Sequence, residues 1–194
     1  MNAPLQEKDH AHKDSRPFFD FVRFLVIISA IVFAFRLYIA TPFIVSGSSM
    51  DPTFADGEYL IVDEISYRFD TPKRGEVIIF RYPKKRTQFF IKRIIGLPGE
   101  TIEIEDGTVV VKNETEPHGF VLDEPYLDDD TAGPFLVTLG ENEYFVLGDN
   151  RSASFDSRSW GTLRRDLIVG RALLRLFPLS NLALFPGHAT QSRP

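Results

Sequence analysis

The stretch Phe89-Phe90-Ile91-Lys92-Arg93-Ile94-Ile95 is an apolar run interrupted by two adjacent positive charges. Its β-branched and aromatic residues predict a β-strand, and the following Gly96-Leu97-Pro98-Gly99 predicts the turn that ends it. Side chains alternate between the two faces of a strand, so Lys92 and Arg93 lie on opposite faces. Both faces are otherwise apolar, and the pattern therefore leaves open which charge points into the core.

Similar β-rich runs occur on both sides of this strand. Asp106-Gly107 predicts a hairpin turn between two of them. Residues 112–134 are acidic and predict a loop, with a solvated run at residues 128–130. We predict a mainly β fold, with one β-rich domain at residues 41–186 and a disordered tail at 187–194. The remaining predicted strands cover residues 58–63, 76–82, 101–105, 108–111, 143–147 and 167–174.

An apolar segment precedes this domain and predicts a transmembrane anchor at residues 18–40. A buried core helix is the alternative, and a cleaved signal peptide is disfavoured because Tyr38 occupies a position that needs a small residue. Basic residues cluster before the segment, so a disordered tail at residues 1–17 is expected in the cytoplasm. A single-pass protein with its β-rich domain on the extracytoplasmic face follows from this orientation.

Composition excludes several classes of function. The chain has 194 residues and a net charge of −5, which gives no reason to expect nucleic acid as a partner. It has no cysteine, so disulfides and thiol catalysis are excluded. Its four histidines are scattered without ligand spacing, so we expect no metal site, and no Gly-rich phosphate loop or other cofactor motif is present.

A serine-rich turn at Ser46-Gly47-Ser48-Ser49 raises the question of a nucleophile and its base. None of the histidines has local support from a predicted strand, which disfavours a Ser-His-Asp triad. A lysine serves as a base only when it is neutral, and burial in apolar surroundings lowers its pKa. Lys92 is the lysine in a predicted strand interior, whereas Lys73, Lys84, Lys85 and Lys112 lie beside turns or strand ends.

Three segments together resemble the motifs of bacterial type I signal peptidases, also called leader peptidases. Ser49-Met50-Asp51-Pro52-Thr53 resembles the family's S-M-x-P-T element, and residues 90–99 resemble its lysine element. The segment at residues 148–161 resembles the G-D-N-R-x-x-S-x-D-S-R-x-W-G element. The three occur in the family's order after an apolar segment, and the resemblance covers roughly residues 20 to 180.

This resemblance implies a membrane-bound serine endopeptidase of the bacterial cell membrane that removes signal peptides with a Ser-Lys dyad. It implies Ser49 as nucleophile, Lys92 as general base and Ser154 as the residue that orients the lysine. The Ser49 N–H is a natural oxyanion donor. Some members add a serine hydroxyl as a second donor, but that position is Gly47 in this chain, so the second donor stays undetermined. Further polar positions that the resemblance marks as structural are Asp149, Arg151, Asp156 and Arg158.

The resemblance also implies the substrate and its binding surface. Signal peptides of exported pre-proteins, with small residues at P1 and P3, would enter an apolar pocket, and a lipid bilayer would contact the domain. The matching pocket positions, each of which could equally belong to the core, are Phe43, Val45, Met50, Phe54 and Ile91.

Two other functional classes remain open. A self-cleaving Ser-Lys repressor shares the dyad, but it needs an amino-terminal DNA-binding domain where this chain has an apolar segment. A catalytically inactive, membrane-anchored β-domain interaction module would lack a nucleophile, a base or an orienting serine, and all three residue types are present here.

Overall fold

The computed structural model describes residues 16–38, 40–128, 131 and 133–189. The chain separates into two compact units at residues 37 and 38. The described elements are the helices α1 (Arg16–Tyr38) and α2 (Ser157–Trp160), and the strands β1 (Ala40–Ile44), β2 (Tyr59–Asp63), β3 (Val77–Tyr82), β4 (Lys85–Gly96), β5 (Thr101–Glu105), β6 (Thr108–Lys112), β7 (Phe120–Val121), β8 (Phe135–Thr138), β9 (Glu143–Leu147), β10 (Leu163–Arg164), β11 (Ile168–Phe177) and β12 (Ala183–Leu184).

Helix α1 coincides with most of the segment predicted as a membrane anchor. It has 23 residues, and side chains are described for residues 18–30, all of which are exposed. Among the described residues, we find no helix that is long and apolar enough to cross a membrane. The anchor therefore stays a prediction, and the predicted tail at residues 1–17 lies outside the described residues apart from the first two positions of α1.

The predicted β-rich fold is confirmed by two antiparallel sheets. The larger has eight strands in the order β1-β2-β11-β3-β4-β9-β10, with β12 paired to β11. Adjacent residues of β3 belong to different core clusters: Ile78 packs in one cluster and Ile79 in another. Because neighbouring side chains point to opposite faces, this sheet is covered on both faces in its centre.

The smaller sheet has four strands in the order β7-β6-β5-β8. The hairpin predicted at Asp106-Gly107 is confirmed, and both residues have positive φ angles, of 47° and 82°. That backbone conformation matches the turn that suits a two-residue hairpin. A third core cluster joins the two sheets, because Ile102 and Val111 of the small sheet pack with Ile95 of β4.

One sequence prediction needs correction. Residues 112–134 are not entirely loop, since β7 (Phe120–Val121) pairs with β6 there. The four-residue helix α2 begins after Asp156, because that side chain accepts a hydrogen bond from the Arg158 N–H. Of the predicted tail at 187–194, residues 187–189 are described, and the Gly187 carbonyl accepts a hydrogen bond from Arg93.

Candidate active site

Ser49 lies in the loop that connects β1 to β2. The base of this loop is closed by two backbone hydrogen bonds of 2.9 Å, from Val45 N–H to the Glu58 carbonyl and from Gly57 N–H to the Val45 carbonyl. Met50, next to the serine, is completely buried. The buried neighbour and the closed base hold Ser49 half-exposed at a fixed place on the domain surface.

Gly47 gives this loop its turn. Its φ of +88° is in the left-handed region that favours glycine. Its N–H donates to Oδ1 of Asp56 at 2.7 Å, so this amide is already engaged. The N–H of Ser49, in contrast, donates to no acceptor among the described residues.

Lys92 reaches the serine from β4, where it pairs with Ile78 of β3. Its Nζ donates to Ser49 Oγ at 2.7 Å and to the Ile91 carbonyl at 2.8 Å. Only 4% of the residue is exposed, and the Phe90 ring lies 5.7 Å from Nζ. The sequence left open whether Lys92 or Arg93 points into the core. Both are buried, because the sheet is covered on both faces.

Burial lowers the pKa of Lys92 from 10.5 to about 8, because the ammonium loses its hydration. The carboxylates of Asp156 and Asp149 oppose this by favouring the charged form, and so raise the pKa, but burial is the larger effect. A base with a pKa near 8 is about one-tenth neutral at pH 7. Lys92 is therefore able to accept a proton near neutral pH, which an ordinary lysine is not.

A turn at residues 148–151 packs against the serine. The N–H of Asn150 donates to the Ser49 carbonyl at 3.1 Å. Gly148 has no room for a side chain, because a Cβ there would overlap both Ser154 Oγ and the Ser49 carbonyl oxygen. This close approach explains the glycine at the start of the motif.

Ser154 therefore lies beside Gly148, next to the site, but it makes no hydrogen bond to Lys92. Its Oγ is shielded from solvent and has no hydrogen-bond partner among the described residues. A buried hydroxyl without a partner is uncommon in folded proteins. The orienting role of Ser154 stays a prediction.

Asp156 and Arg158 form an ion pair that supports the same turn. Two side-chain nitrogens of Arg158 donate to the Asp156 carboxylate, Nε at 2.9 Å and Nη2 at 2.8 Å. Asp156 is fully buried and also accepts the Gly148 N–H at 3.2 Å, while Arg158 Nη2 donates to the Arg151 carbonyl at 2.7 Å. The pair fixes both ends of the turn at residues 148–151.

Arg93 and Asp149 form a second ion pair, whose side chains are both fully buried. Nε and Nη2 of Arg93 contact the two carboxylate oxygens at 2.8 and 2.5 Å. Thr53, four residues after Ser49, donates its hydroxyl to the same carboxylate at 2.5 Å. Asp149 therefore links the serine loop, the lysine strand and the turn at residues 148–151. The pairing of Arg93 and the contact of Thr53 were not predicted from the sequence.

A cavity of about 420 Å³ opens beside Ser49 and Lys92. Three of the five predicted pocket residues line it, namely Phe43, Val45 and Ile91. The other two, Met50 and Phe54, are completely buried in a core cluster and are not among its lining residues. Its wall is mostly apolar, and the residues that complete it are Ile44, Ser46, Gly47, Ser48, Leu60, Ile79, Phe89, Phe90, Ala153 and Phe155.

A metal site is not evident in the part of the chain that the structure describes, because no three His, Asp or Glu side chains there are grouped as ligands. The site brings the Ser49 hydroxyl into contact with the buried Lys92 amine. Such an arrangement can activate the hydroxyl as a nucleophile.

Comparison with known proteins identifies the family. Residues 18–177 match the family described as signal peptidase, peptidase S26. The chain belongs to this family. Relatives include the probable signal peptidase I-2 of Synechocystis sp., with 36% identity over 84% of this chain and 76% of that protein. The signal peptidase I of Leptolyngbya laminosa is 32% identical over 94% of this chain and 91% of that protein.

Other bacteria also have relatives of this signal peptidase family member. Signal peptidase IB of Staphylococcus aureus is 33% identical over 80% of this chain and 87% of that protein. A crystal structure of a signal peptidase I from Enterococcus faecalis has 33% identity and a TM-score of 0.46, and it covers 53% of this chain and 97% of that chain. As a member of the signal peptidase family, the protein is a serine peptidase, and hence a hydrolase.

Proposed function

We propose that the protein is a membrane-bound endopeptidase that removes amino-terminal signal peptides from exported pre-proteins, with Ser49 as nucleophile and Lys92 as general base. The observation that carries the proposal is the 2.7 Å contact between Lys92 Nζ and Ser49 Oγ in a buried setting. Relatives named signal peptidase I support the substrate class.

The reaction starts when neutral Lys92 accepts the proton of Ser49 Oγ as the oxygen attacks the scissile carbonyl. Lys92 then returns this proton to the leaving amine, which departs as the new amino terminus of the mature protein. The acyl group stays on Ser49 until a water, deprotonated by the same lysine, hydrolyses the ester. The lysine has to be neutral at the start of both steps.

Negative charge that develops on the carbonyl oxygen needs a donor. The backbone N–H of Ser49 is available for this, since it has no acceptor among the described residues. Gly47 contributes no hydroxyl, and its own N–H is engaged with Asp56. We therefore assign Ser49 N–H as the oxyanion donor of this loop.

The apolar cavity is the proposed binding site for the residues that precede the scissile bond. Phe43, Val45 and Ile91 form its wall beside the serine. Large side chains in the wall limit the space for a substrate side chain. This agrees with small, alanine-like residues at P1 and P3. Ser154 is proposed to orient the Lys92 amine, and Asp149, Arg151, Asp156 and Arg158 to hold the turn at residues 148–151 in place.

A lipid bilayer is the proposed partner of an exposed apolar surface on the larger sheet. Ile44 pairs with Tyr59 and Tyr59 pairs with Phe177, and these residues are 58%, 46% and 55% exposed. Leu182 and Leu184 lie beside and on β12, which pairs with the same strand β11, and they are 59% and 70% exposed. A cluster of this kind is unusual on a protein that meets only water. We propose α1 as the membrane anchor, with a cytoplasmic amino terminus and the β-rich domain on the extracytoplasmic face.

The catalytic part of this proposal is tested with purified full-length protein in detergent and a pre-protein that carries an Ala-x-Ala cleavage site. The Ser49→Ala and Lys92→Ala variants are expected to lose cleavage by at least about a thousandfold. Ser159→Ala, which removes an exposed hydroxyl that does not line the cavity, should cleave at the parent rate. Cleavage by Ser49→Ala at the parent rate would refute the assignment.

The bilayer part is tested with full-length protein in phospholipid vesicles and in detergent. Leu182→Asp with Leu184→Asp is expected to slow cleavage in vesicles but not in detergent, because only vesicles offer a surface for this patch. Leu136→Asp is a suitable control, since Leu136 is 66% exposed on the smaller sheet. Equal rates in vesicles for the double variant and the parent would argue against the bilayer contact.

A further inference from the structure

The chain between β7 and β8 crosses the small sheet from one edge to the other. These two strands are the outermost of the four, so their connection has to span three strand spacings, or roughly 14 Å. It is fixed at both ends on the β5–β6 hairpin: Leu122 N–H donates to the Val109 carbonyl at 2.8 Å, and Thr131 N–H donates to the Gly107 carbonyl at 2.9 Å. We refer to residues 122–127 of this connection as the crossing segment.

Glu124 of the crossing segment forms a buried ion pair with Arg151. Its Oε1 accepts from Nη2 at 2.5 Å and its Oε2 accepts from Nη1 at 3.1 Å. The side chains are only 8% and 0% exposed. The remaining Nε of Arg151 donates to the Gly148 carbonyl at 3.0 Å, and Nη1 also contacts the Thr131 hydroxyl. The carboxylate thus holds a guanidinium that in turn holds the backbone of Gly148.

Tyr126 of the same segment contacts the second arginine of the site. Its ring lies 3.8 Å from the guanidinium carbon of Arg93, and its hydroxyl donates to Glu124 Oε1 at 2.7 Å. Burial, together with the Glu124 carboxylate, raises the pKa of Tyr126, so the phenol stays protonated and remains a donor. Arg93 follows Lys92 directly in β4 and is paired with Asp149.

Glu124 and Tyr126 therefore connect to both sides of the dyad. Through Arg151 they reach Gly148, which packs against the Ser49 carbonyl and Ser154 without space for a Cβ. Through Arg93 they reach the strand that carries Lys92. The Glu124 carboxylate has two hydrogen-bond partners, and the Tyr126 ring lies over the Arg93 guanidinium. Both contacts are directional, so they fix the positions of the two arginines as well as burying them.

We infer that Glu124 and Tyr126 are positioning residues for Ser49 and Lys92: the crossing segment of the small sheet sets the distance between nucleophile and base. This inference rests on the proposed function of those two residues. Neither Glu124 nor Tyr126 contacts the cavity, so their loss should change turnover and leave substrate binding nearly unaltered.

The test compares Glu124→Gln, Tyr126→Leu and Tyr126→Phe in full-length protein, with kcat and KM measured well below the unfolding temperature. Glu124→Gln and Tyr126→Leu are expected to lower kcat about ten- to a hundredfold, because small misplacements of reacting groups are costly, with KM unchanged within about threefold. Tyr126→Phe keeps the ring over Arg93 and should lose less. Glu103→Gln is the matched control, since it breaks a partly exposed ion pair with Lys112 in the same sheet.

A second variant separates positioning from stability. Glu124→Gln should also lower the Tm, because Arg151 stays buried without a charged partner. Glu124→Leu combined with Arg151→Met replaces the buried pair by apolar groups and should restore that Tm. We expect kcat to remain low, because the link to Gly148 is gone. Recovery of kcat together with Tm, or a kcat within twofold of the parent for both Glu124→Gln and Tyr126→Leu, would overturn the inference. Activity of Ser49→Ala would instead refute the proposed function, so the two failures are distinguishable.

Discussion

Lys92 Nζ and Ser49 Oγ lie 2.7 Å apart although 43 residues separate them in the chain. The contact arises because the loop after β1 and the middle of β4 meet at the same cavity. Around this pair, the buried carboxylates of Asp149 and Asp156 accept hydrogen bonds from the Thr53 hydroxyl and the Gly148 N–H, respectively. The structure places Lys92 Nζ and Ser49 Oγ at hydrogen-bond distance, which is the geometry that the proposed proton transfer needs.

Replacing Ser154 by Ala should slow cleavage about ten- to a hundredfold, because the Lys92 amine would lose its proposed orienting partner. The free energy of unfolding should change by less than about 1 kcal/mol, since the hydroxyl makes no hydrogen bond to a described residue. Rate assays and urea unfolding measure the two effects. Ser152→Ala, an exposed serine two residues earlier, is the control. Equal damage to rate and stability would make Ser154 a structural residue.

Asp149→Asn should destabilise the protein by about 3–5 kcal/mol, because Arg93 would stay fully buried without its carboxylate. The exposed pair Arg164–Asp166 provides the comparison, as its side chains are 67% and 49% exposed. Asp166→Asn should cost less than about 1 kcal/mol. Chemical unfolding of both variants measures the difference. Similar losses for the two would show that the buried pair has no special importance.

Lys92→Met should stabilise the folded protein below pH 8 while abolishing activity. The pKa of Lys92 is about 8 in the folded protein and 10.5 ordinarily, so the unfolded chain binds more protons between these values. Stability of the parent therefore rises with pH from about 8 to 10.5, and the cost of the buried ammonium is fully present below pH 8. The lowered pKa of Lys92 corresponds to a loss of roughly 3 kcal/mol in the free energy of unfolding, as an upper limit.

Unfolding titrations of Lys92→Met and parent at pH 6 and pH 10 measure this effect. The stabilisation should be large at pH 6 and much smaller at pH 10. Lys85→Met, which removes an exposed lysine from the same strand, is the control. A stability difference that is the same at both pH values would contradict a depressed pKa.

The sequence predicted the strands well because their apolar runs are bounded by turn residues, as in β5 and β6 around Asp106-Gly107. Motif resemblance also pointed to Ser49 and Lys92, which the structure places in contact, while their catalytic roles stay predictions. The sequence could not decide between Lys92 and Arg93 as the buried charge, since the sheet covers both of its faces. Whether a strand is covered on one face or on two depends on distant chain segments, which periodicity does not report.

The acidic region at residues 112–134 shows a second limit of pattern reading. Glu124 and Tyr126 occur in a segment without periodicity, and composition alone predicts that such a segment is solvated. Their burial depends on arginines 27 and 33 positions away, Arg151 and Arg93. Met50 and Phe54 show the same limit beside Ser49, where an apolar residue can line a cavity or fill the core.

The central claim, that neutral Lys92 activates Ser49, is tested most directly by the pH dependence of kcat/KM for pre-protein cleavage between pH 6 and pH 10. Since the neutral amine is the active form and its pKa is lowered to about 8, kcat/KM should rise about tenfold per pH unit below pH 8 and level off above it. A profile that is flat across this range, or one that Lys92→Ala reproduces at the parent rate, would contradict the account.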